Sequence, residues 1–124
     1  MLHNSILALG AYPSVIEYRL PHTTGVSIAN NPIDGGILAR DGAGATLSGN
    51  VTSASPAFFV GPSAGNLHLT PAATMAIDRV AVLASTTTDW DGQLRPHGTA
   101  ADAGADERVT LTPLAPLRNL RIVR

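Results

Sequence analysis

The chain has 124 residues, a formal net charge of -1 and no cysteine. That length allows one modest domain with a real core. The near-zero charge excludes a field able to gather nucleic acid or an anionic membrane, and the missing thiols exclude disulfides and thiolate metal sites. No apolar run approaches the ~20 residues that span a bilayer. The run Ile6 to Ala11 is short and has only His3 as a basic neighbour upstream, so it is a poor signal peptide. All eight basic residues are arginine, which fits a GC-biased genome as well as it fits bidentate anion recognition. Charged residues make up 14% of the chain, too few for helices with polar stripes, while Gly, Pro, Asn, Ser and Thr are abundant. Short strands joined by frequent turns suit this composition.

In chain order, the first 20 residues hold two apolar patches. Val15 to Leu20 alternates, with Ile16, Tyr18 and Leu20 on one face and Glu17 and Arg19 on the other, the period of a half-buried strand. Pro13 and Pro21 bracket it. Next come Gly25-Val26-Ser27-Ile28, stopping at Ala29-Asn30-Asn31-Pro32, then Gly35-Gly36 ahead of Ile37-Leu38-Ala39, then Asp41-Gly42. Ala45-Thr46-Leu47-Ser48 follows and stops at Gly49-Asn50. The strings V-S-I-A-N-N and T-L-S-G-N read as two passes of one motif, a brief strand ended by asparagine, and Asn4 closes an earlier pass. Asparagine suits such corners because it tolerates left-handed backbone and bonds to neighbouring peptide groups. Loose recurrence of this kind is what a solenoid with variable loops produces.

From Phe58 the pattern changes. Phe58, Phe59, Leu67, Leu69, Met75 and Ile77 are the candidate inward residues. Phe58-Phe59-Val60-Gly61-Pro62, Leu67-His68-Leu69-Thr70-Pro71, Ile77-Asp78, Asp89-Trp90-Asp91-Gly92, Arg95-Pro96 and Asp102 to Glu107 follow in order. In that order they resemble the closing segment of right-handed parallel β-helix proteins of the choice-of-anchor type, in the pectate-lyase-like superfamily. In that family the segment runs F-V-D-P, H-L-x-P-x-S-P-A-I-D, D-x-D-G-x-x-R-P and D-I-G-A-Y-E. This chain departs from it at Gly61, Met75 and Asp106, which replace an acid, a proline and an aromatic, and at Arg79 to Thr88, which begins without the usual glycine. The resemblance implies an all-β fold: coils over 1–57, a terminal coil and cap over 58–108, and a tail over 109–124. In the tail, Val109 to Thr112 reads as one more strand and Pro113 to Pro116 as an extended linker. Asn119 to Arg124 reads either as the first strand of a fibronectin type III-like module or as a strand packing back on the body. An extracellular or cell-surface location is a further implication.

A terminal unit must close an apolar end, and Asp-rich turns that fold onto backbone N–H groups do this. Asp78, Trp90, Arg95 and Asp102 are the expected structural cap, with Trp90 as a plug over the last coil and Arg95 paired to a nearby aspartate. Asp89, Asp91 and Gln93 carry oxygen at alternate positions beside Gly92, like the start of a calcium loop. No glutamate stands at the twelfth position, so a carboxylate-capped turn is the competing reading. No other cofactor is implied. The four histidines are scattered, and His68, pointing away from Leu67 and Leu69, reads as a structural hydrogen-bonder.

No catalytic residues emerge. The acids of the first 57 residues, Glu17, Asp34 and Asp41, each sit alone, whereas a glycosidase needs facing carboxylates. The expected function is therefore a non-catalytic structural or interaction module of an extracellular bacterial β-helix protein. The alternatives are a piece of a polysaccharide lyase or glycosidase, or a calcium-dependent carbohydrate-binding domain, with polysaccharide as the partner. An uncapped N-terminal end also implies a homo-oligomer, with Ile6, Leu7 and Leu9 at the contact.

Overall fold

A computed structural model describes residues 1–110. It is mostly short strand: β1 (Ser14–Tyr18), β2 (Val26–Ala29), β3 (Gly36–Ala39), β4 (Ala45–Ser48), β5 (Phe59–Gly61) and β6 (Asn66–Leu69). Two single 3-10 turns, Pro56–Phe58 and Pro62–Ala64, are the regular helical pieces among the described residues. The expected all-β character is present. The sheets are smaller than a long solenoid would give: three two-stranded sheets, β1–β3, β2–β4 and β5–β6. Of the tail strand, linker and fibronectin-like strand expected over 109–124, all but Val109 and Thr110 lie outside the described residues.

The pairing follows the recurrence in the sequence. β1 lies parallel to β3 and β2 parallel to β4, so the chain visits one sheet, crosses to the other and returns. The β2–β4 register sets Ile28 against Leu47 and Ala29 against Ser48. Isolated parallel bridges Leu2–Ala29, Ile6–Ile33 and Pro32–Val51 extend the same stacking to the first segment and to the one after β4. β5 and β6 then form an antiparallel hairpin, Phe59 against Leu69.

Three corners repeat one geometry. His3, Asn30 and Gly49 each have positive φ (51°, 59° and 59°), and each immediately precedes an asparagine: Asn4, Asn31 and Asn50. The left-handed residue turns the chain and aims the next side chain along the stack. Asn31 Oδ1 accepts from the Asn4 N–H at 2.8 Å and from the Asn4 amide at 3.1 Å. Asn50 Oδ1 accepts from the Asn31 N–H at 3.1 Å and from the Asn31 amide at 2.8 Å. Asn50 Nδ2 finishes the series on the Ile28 carbonyl at 2.7 Å. The separations along the chain are 27 and 19 residues, so loops absorb the difference while the rungs stay aligned.

Two apolar clusters fill the interior. Ile16, Ile28 and Ile33 form one, with Ile6, Tyr18 and Ile37 packed against it. Full burial of a side chain such as Ile33 contributes about 1.5–3 kcal/mol. The second joins Val51, Phe58, Phe59, Leu69 and Val80 to four fully buried alanines, Ala73, Ala76, Ala101 and Ala103. Among the expected inward residues, Leu67 and Ile77 are half-buried against this cluster, whereas Met75 is 55% exposed. The turn Thr74 to Asp78 follows Ala73, and the buried positions there go to Ala73 and Ala76 at i and i+3, which points the intervening Met75 outward.

Ile6 packs on the isoleucine cluster and Leu7 on the second cluster. Of the three residues assigned to an oligomer contact, Leu9 alone is exposed, at 69%.

Candidate functional site

Residues 58–108 carry nine of the seventeen acidic and basic residues, and these divide into a buried group and a surface group. In the buried group, Arg95 and Glu107 form an ion pair at 3.0 Å with both side chains 1% exposed. Burying such a pair stabilises only if every donor and acceptor is satisfied. That condition is met by backbone. Arg95 Nη1 also donates to the Asp102 carbonyl at 3.0 Å, and Nη2 donates to the Gly104 and Ala105 carbonyls at 2.8 and 2.9 Å. Glu107 Oε1 accepts from the His97 N–H at 2.8 Å and Oε2 from the Asp102 N–H at 2.9 Å. The planar fork of arginine can serve a curved loop of carbonyls and a carboxylate at once; an ammonium could not.

The aspartates tie remote N–H groups to this centre. Asp102 accepts from the Asp78 N–H at 2.7 Å and the Arg108 N–H at 2.8 Å, and Asp78 accepts from the Ala100 N–H at 3.1 Å. Burial raises the Asp102 carboxyl above its ordinary range, and its two N–H donors oppose that rise. The segment also grips the stacked corners. The Gly104 N–H donates to the Asn30 carbonyl at 2.8 Å, and the Ala105 N–H to Ser5 Oγ at 3.1 Å. The buried His3 ring completes the contact: its Nε2 faces Asn30 Nδ2 at 2.9 Å. Its Nδ1 is buried without a hydrogen-bond partner. Burial lowers the His3 pKa below its ordinary value, and the Arg95 guanidinium adds to the effect.

Asp89, expected as a metal ligand or a turn cap, is already saturated by backbone. Its Oδ1 accepts from the Asp91 and Gln93 N–H groups at 3.0 and 2.7 Å, and its Oδ2 from the Glu107 N–H at 3.1 Å. Three donors on one buried carboxylate make a capped turn. Asp91 Oδ2 faces His68 Nε2 instead.

The surface group is built on β6. His68 Nε2 lies 2.8 Å from Asp91 Oδ2. Its Nδ1 lies 2.6 Å from Asn66 Oδ1, which also accepts from the His68 N–H at 3.2 Å, so both ring nitrogens face acceptor oxygens. Asp106 Oδ2 accepts from the Leu69 N–H at 2.7 Å. Oxygens of Asp91 and Asp106 and a nitrogen of His68 thereby lie within 4.8 Å of one another. Asp106 is 4% exposed, and burial raises its carboxyl above the ordinary range while the Leu69 N–H opposes the rise. Gln93 Oε1 is buried without a hydrogen-bond partner, and Gln93 lines the same open cleft of about 350 Å³ as His68 and Asp106.

Trp90, expected as a buried plug, is 63% exposed and tilts against the His68 ring at 5.3 Å between centroids. It borders a small cleft with Ser5, Gly65, Leu67 and Ala105 rather than filling the interior. Of the residues expected as a cap, Asp78 and Asp102 are hydrogen-bonded to each other, and Arg95 pairs with Glu107 rather than with an aspartate, meeting Asp102 only at its carbonyl. Sequence reading assigned no role to Asp106 or Glu107. The signal available was their place in the last Asp-rich block, two acids where the related pattern has an aromatic and one acid. His3 gave none, because its partner lies 27 residues away, and His68, expected as a structural hydrogen-bonder, gave no hint of Asp91, 23 residues away. No helix among the described residues is long and apolar enough to cross a membrane. No family model, curated protein or solved structure matches the chain.

Proposed function

We propose that this chain is the terminal part of a right-handed parallel β-helix of the choice-of-anchor kind, serving as a non-catalytic structural module of an extracellular bacterial protein. The observation that carries this reading is the asparagine series Asn4–Asn31–Asn50, linked side chain to backbone and side chain to side chain across three parallel segments. Stacked identical amides at successive corners are what a solenoid uses to hold its turns in register. The order of the segments, parallel pairs first and an aspartate- and arginine-bonded unit last, fits a repeat followed by its cap.

The acids of the first half have structural work that favours the same reading. Asp34 accepts from the Ala8 and Leu9 N–H groups at 2.7 and 2.6 Å. Glu17 and Asp41 sit in exposed ion pairs with Arg19 and Arg40. Incubation of the full chain with polyuronates and neutral glycans tests the reading. It should release neither unsaturated nor reducing ends. Product formation that disappears in Glu17→Gln, Asp34→Asn or Asp41→Asn would replace this reading with an enzymatic one.

A further inference from the structure

We propose that His68, Asp91 and Asp106 form a binding site for one divalent cation of the zinc type, with the remaining coordination position open to water. The three ligands come from separate stretches, β6, the turn after Asp89 and the final Asp-rich block, and meet with their ligand atoms within 4.8 Å. An imidazole with two carboxylates selects a borderline first-row metal; calcium prefers oxygen alone.

The surroundings have the features that a metal-ligating histidine needs. Asn66 Oδ1 lies 2.6 Å from His68 Nδ1, which fixes the ring and leaves Nε2 turned toward Asp91, 2.8 Å away. Such an outer acceptor sets tautomer and orientation at most histidine metal ligands. Asp106 is held by the Leu69 N–H at 2.7 Å, and its buried charge has no arginine hydrogen-bonded to it among the described residues. A second observation points to a ligand independently. Gln93 Oε1 is a buried, unpartnered oxygen, and Gln93 lines the cleft beside His68 and Asp106. An amide oxygen without a donor normally costs stability, and a bound cation or its water supplies the missing partner. The proposal does not depend on the β-helix reading.

Trp90, the only tryptophan, lies tilted against the His68 ring at 5.3 Å between centroids and reports on it directly. The test is titration of the full chain with zinc chloride, followed by Trp90 fluorescence and by thermal unfolding, with calcium chloride in parallel. Zinc should bind with one equivalent, change Trp90 emission and raise the Tm, and calcium should do neither. Asn66→Ala should weaken zinc by about 10–100-fold, the usual effect of losing an outer-shell partner. His68→Gln and Asp91→Asn should weaken it further, and both replace partly exposed side chains, so circular dichroism should stay unchanged. Absence of any zinc response at millimolar concentration overturns the site. So does a response undiminished in His68→Gln, which would place the metal elsewhere. A calcium response lost in Asp91→Asn but kept in His68→Gln would overturn it in favour of an oxygen-only site.

Discussion

The two halves of this chain solve the same problem, the buried backbone N–H group, by different means. Through residue 54 the strands pair in parallel, and backbone carbonyls and asparagine amides do most of the pairing, with Asp34 adding one carboxylate. From residue 56 to 110 the pairs are antiparallel, and carboxylates do more of the work: Asp78, Asp89, Asp102, Asp106 and Glu107 together accept from N–H groups up to 37 residues away. A repeat can be stabilised by a neutral ladder because each rung is both donor and acceptor. A closing unit needs acceptors without a matching donor row, and ionised carboxylates supply them. The resulting charge then needs Arg95.

The largest effect should come from breaking that charge. Arg95→Ala leaves Glu107 buried and unpaired and should cost about 3–5 kcal/mol in urea denaturation. Arg95→Lys should recover little of it, because the Gly104, Ala105 and Asp102 carbonyls need the fork. A cost near zero for Arg95→Ala would mean that the closing unit is not held as described.

The ladder comes next. Asn31→Ala strands the Asn4 N–H and removes the middle rung, and should cost about 1–3 kcal/mol. Gly49→Ala should cost about 1–2 kcal/mol, since a Cβ there meets the Asn30 side chain on a backbone with φ of 59°. Gly42→Ala, at φ of 76° but with only Pro21 near the new methyl, should cost less, and thermal unfolding of the two variants separates strain from collision.

In the turn, Asp89→Ala should lower stability by about 0.5–2 kcal/mol whether or not calcium is present. Without metal, Asp91→Ala should change it by about 0–1 kcal/mol, because its pairing with His68 is at the surface. Equal losses in both would contradict the division of labour between the two aspartates.

These contrasts also mark what could be read from residues alone. The three asparagine corners and the strands before Asn31 and Asn50 were legible, because each depends on local chemistry: a turn residue and an alternation. The sheets' small size and the outward Trp90 were not, because they depend on tertiary packing that no local pattern encodes. The His68–Asp91–Asp106 group was illegible for a related reason. No helical or hairpin spacing links the three, and the fold alone brings them together.

The smallest expected effect concerns His3, which joins the two halves. Its folded pKa lies below the unfolded 6.5, so the neutral ring is favoured on folding. Its contribution is complete above pH 6.5 and is lost as pH falls through the lowered folded value. Burial is the main cause, and Arg95 and Glu107, the charged groups facing it, act in opposite directions. Asp102 and Asp106, with raised values, act in the opposite sense, adding stability as pH falls toward 3.8. Denaturation of wild type and His3→Asn between pH 7.5 and 5 isolates the histidine, asparagine being tolerant of the same positive φ. Stability should fall with pH more steeply in wild type; parallel curves would remove His3 from the account.

The neutral ladder is tested most directly by amide hydrogen exchange at Asn4 and Asn31. Both N–H groups should be protected in wild type, held by Asn31 Oδ1 and Asn50 Oδ1. In Asn50→Ala the Asn31 amide should exchange faster by about tenfold for each 1.4 kcal/mol lost, with a smaller change at Asn4. Exchange at unprotected rates in wild type, or an Asn31 amide indifferent to Asn50→Ala, would contradict the ladder.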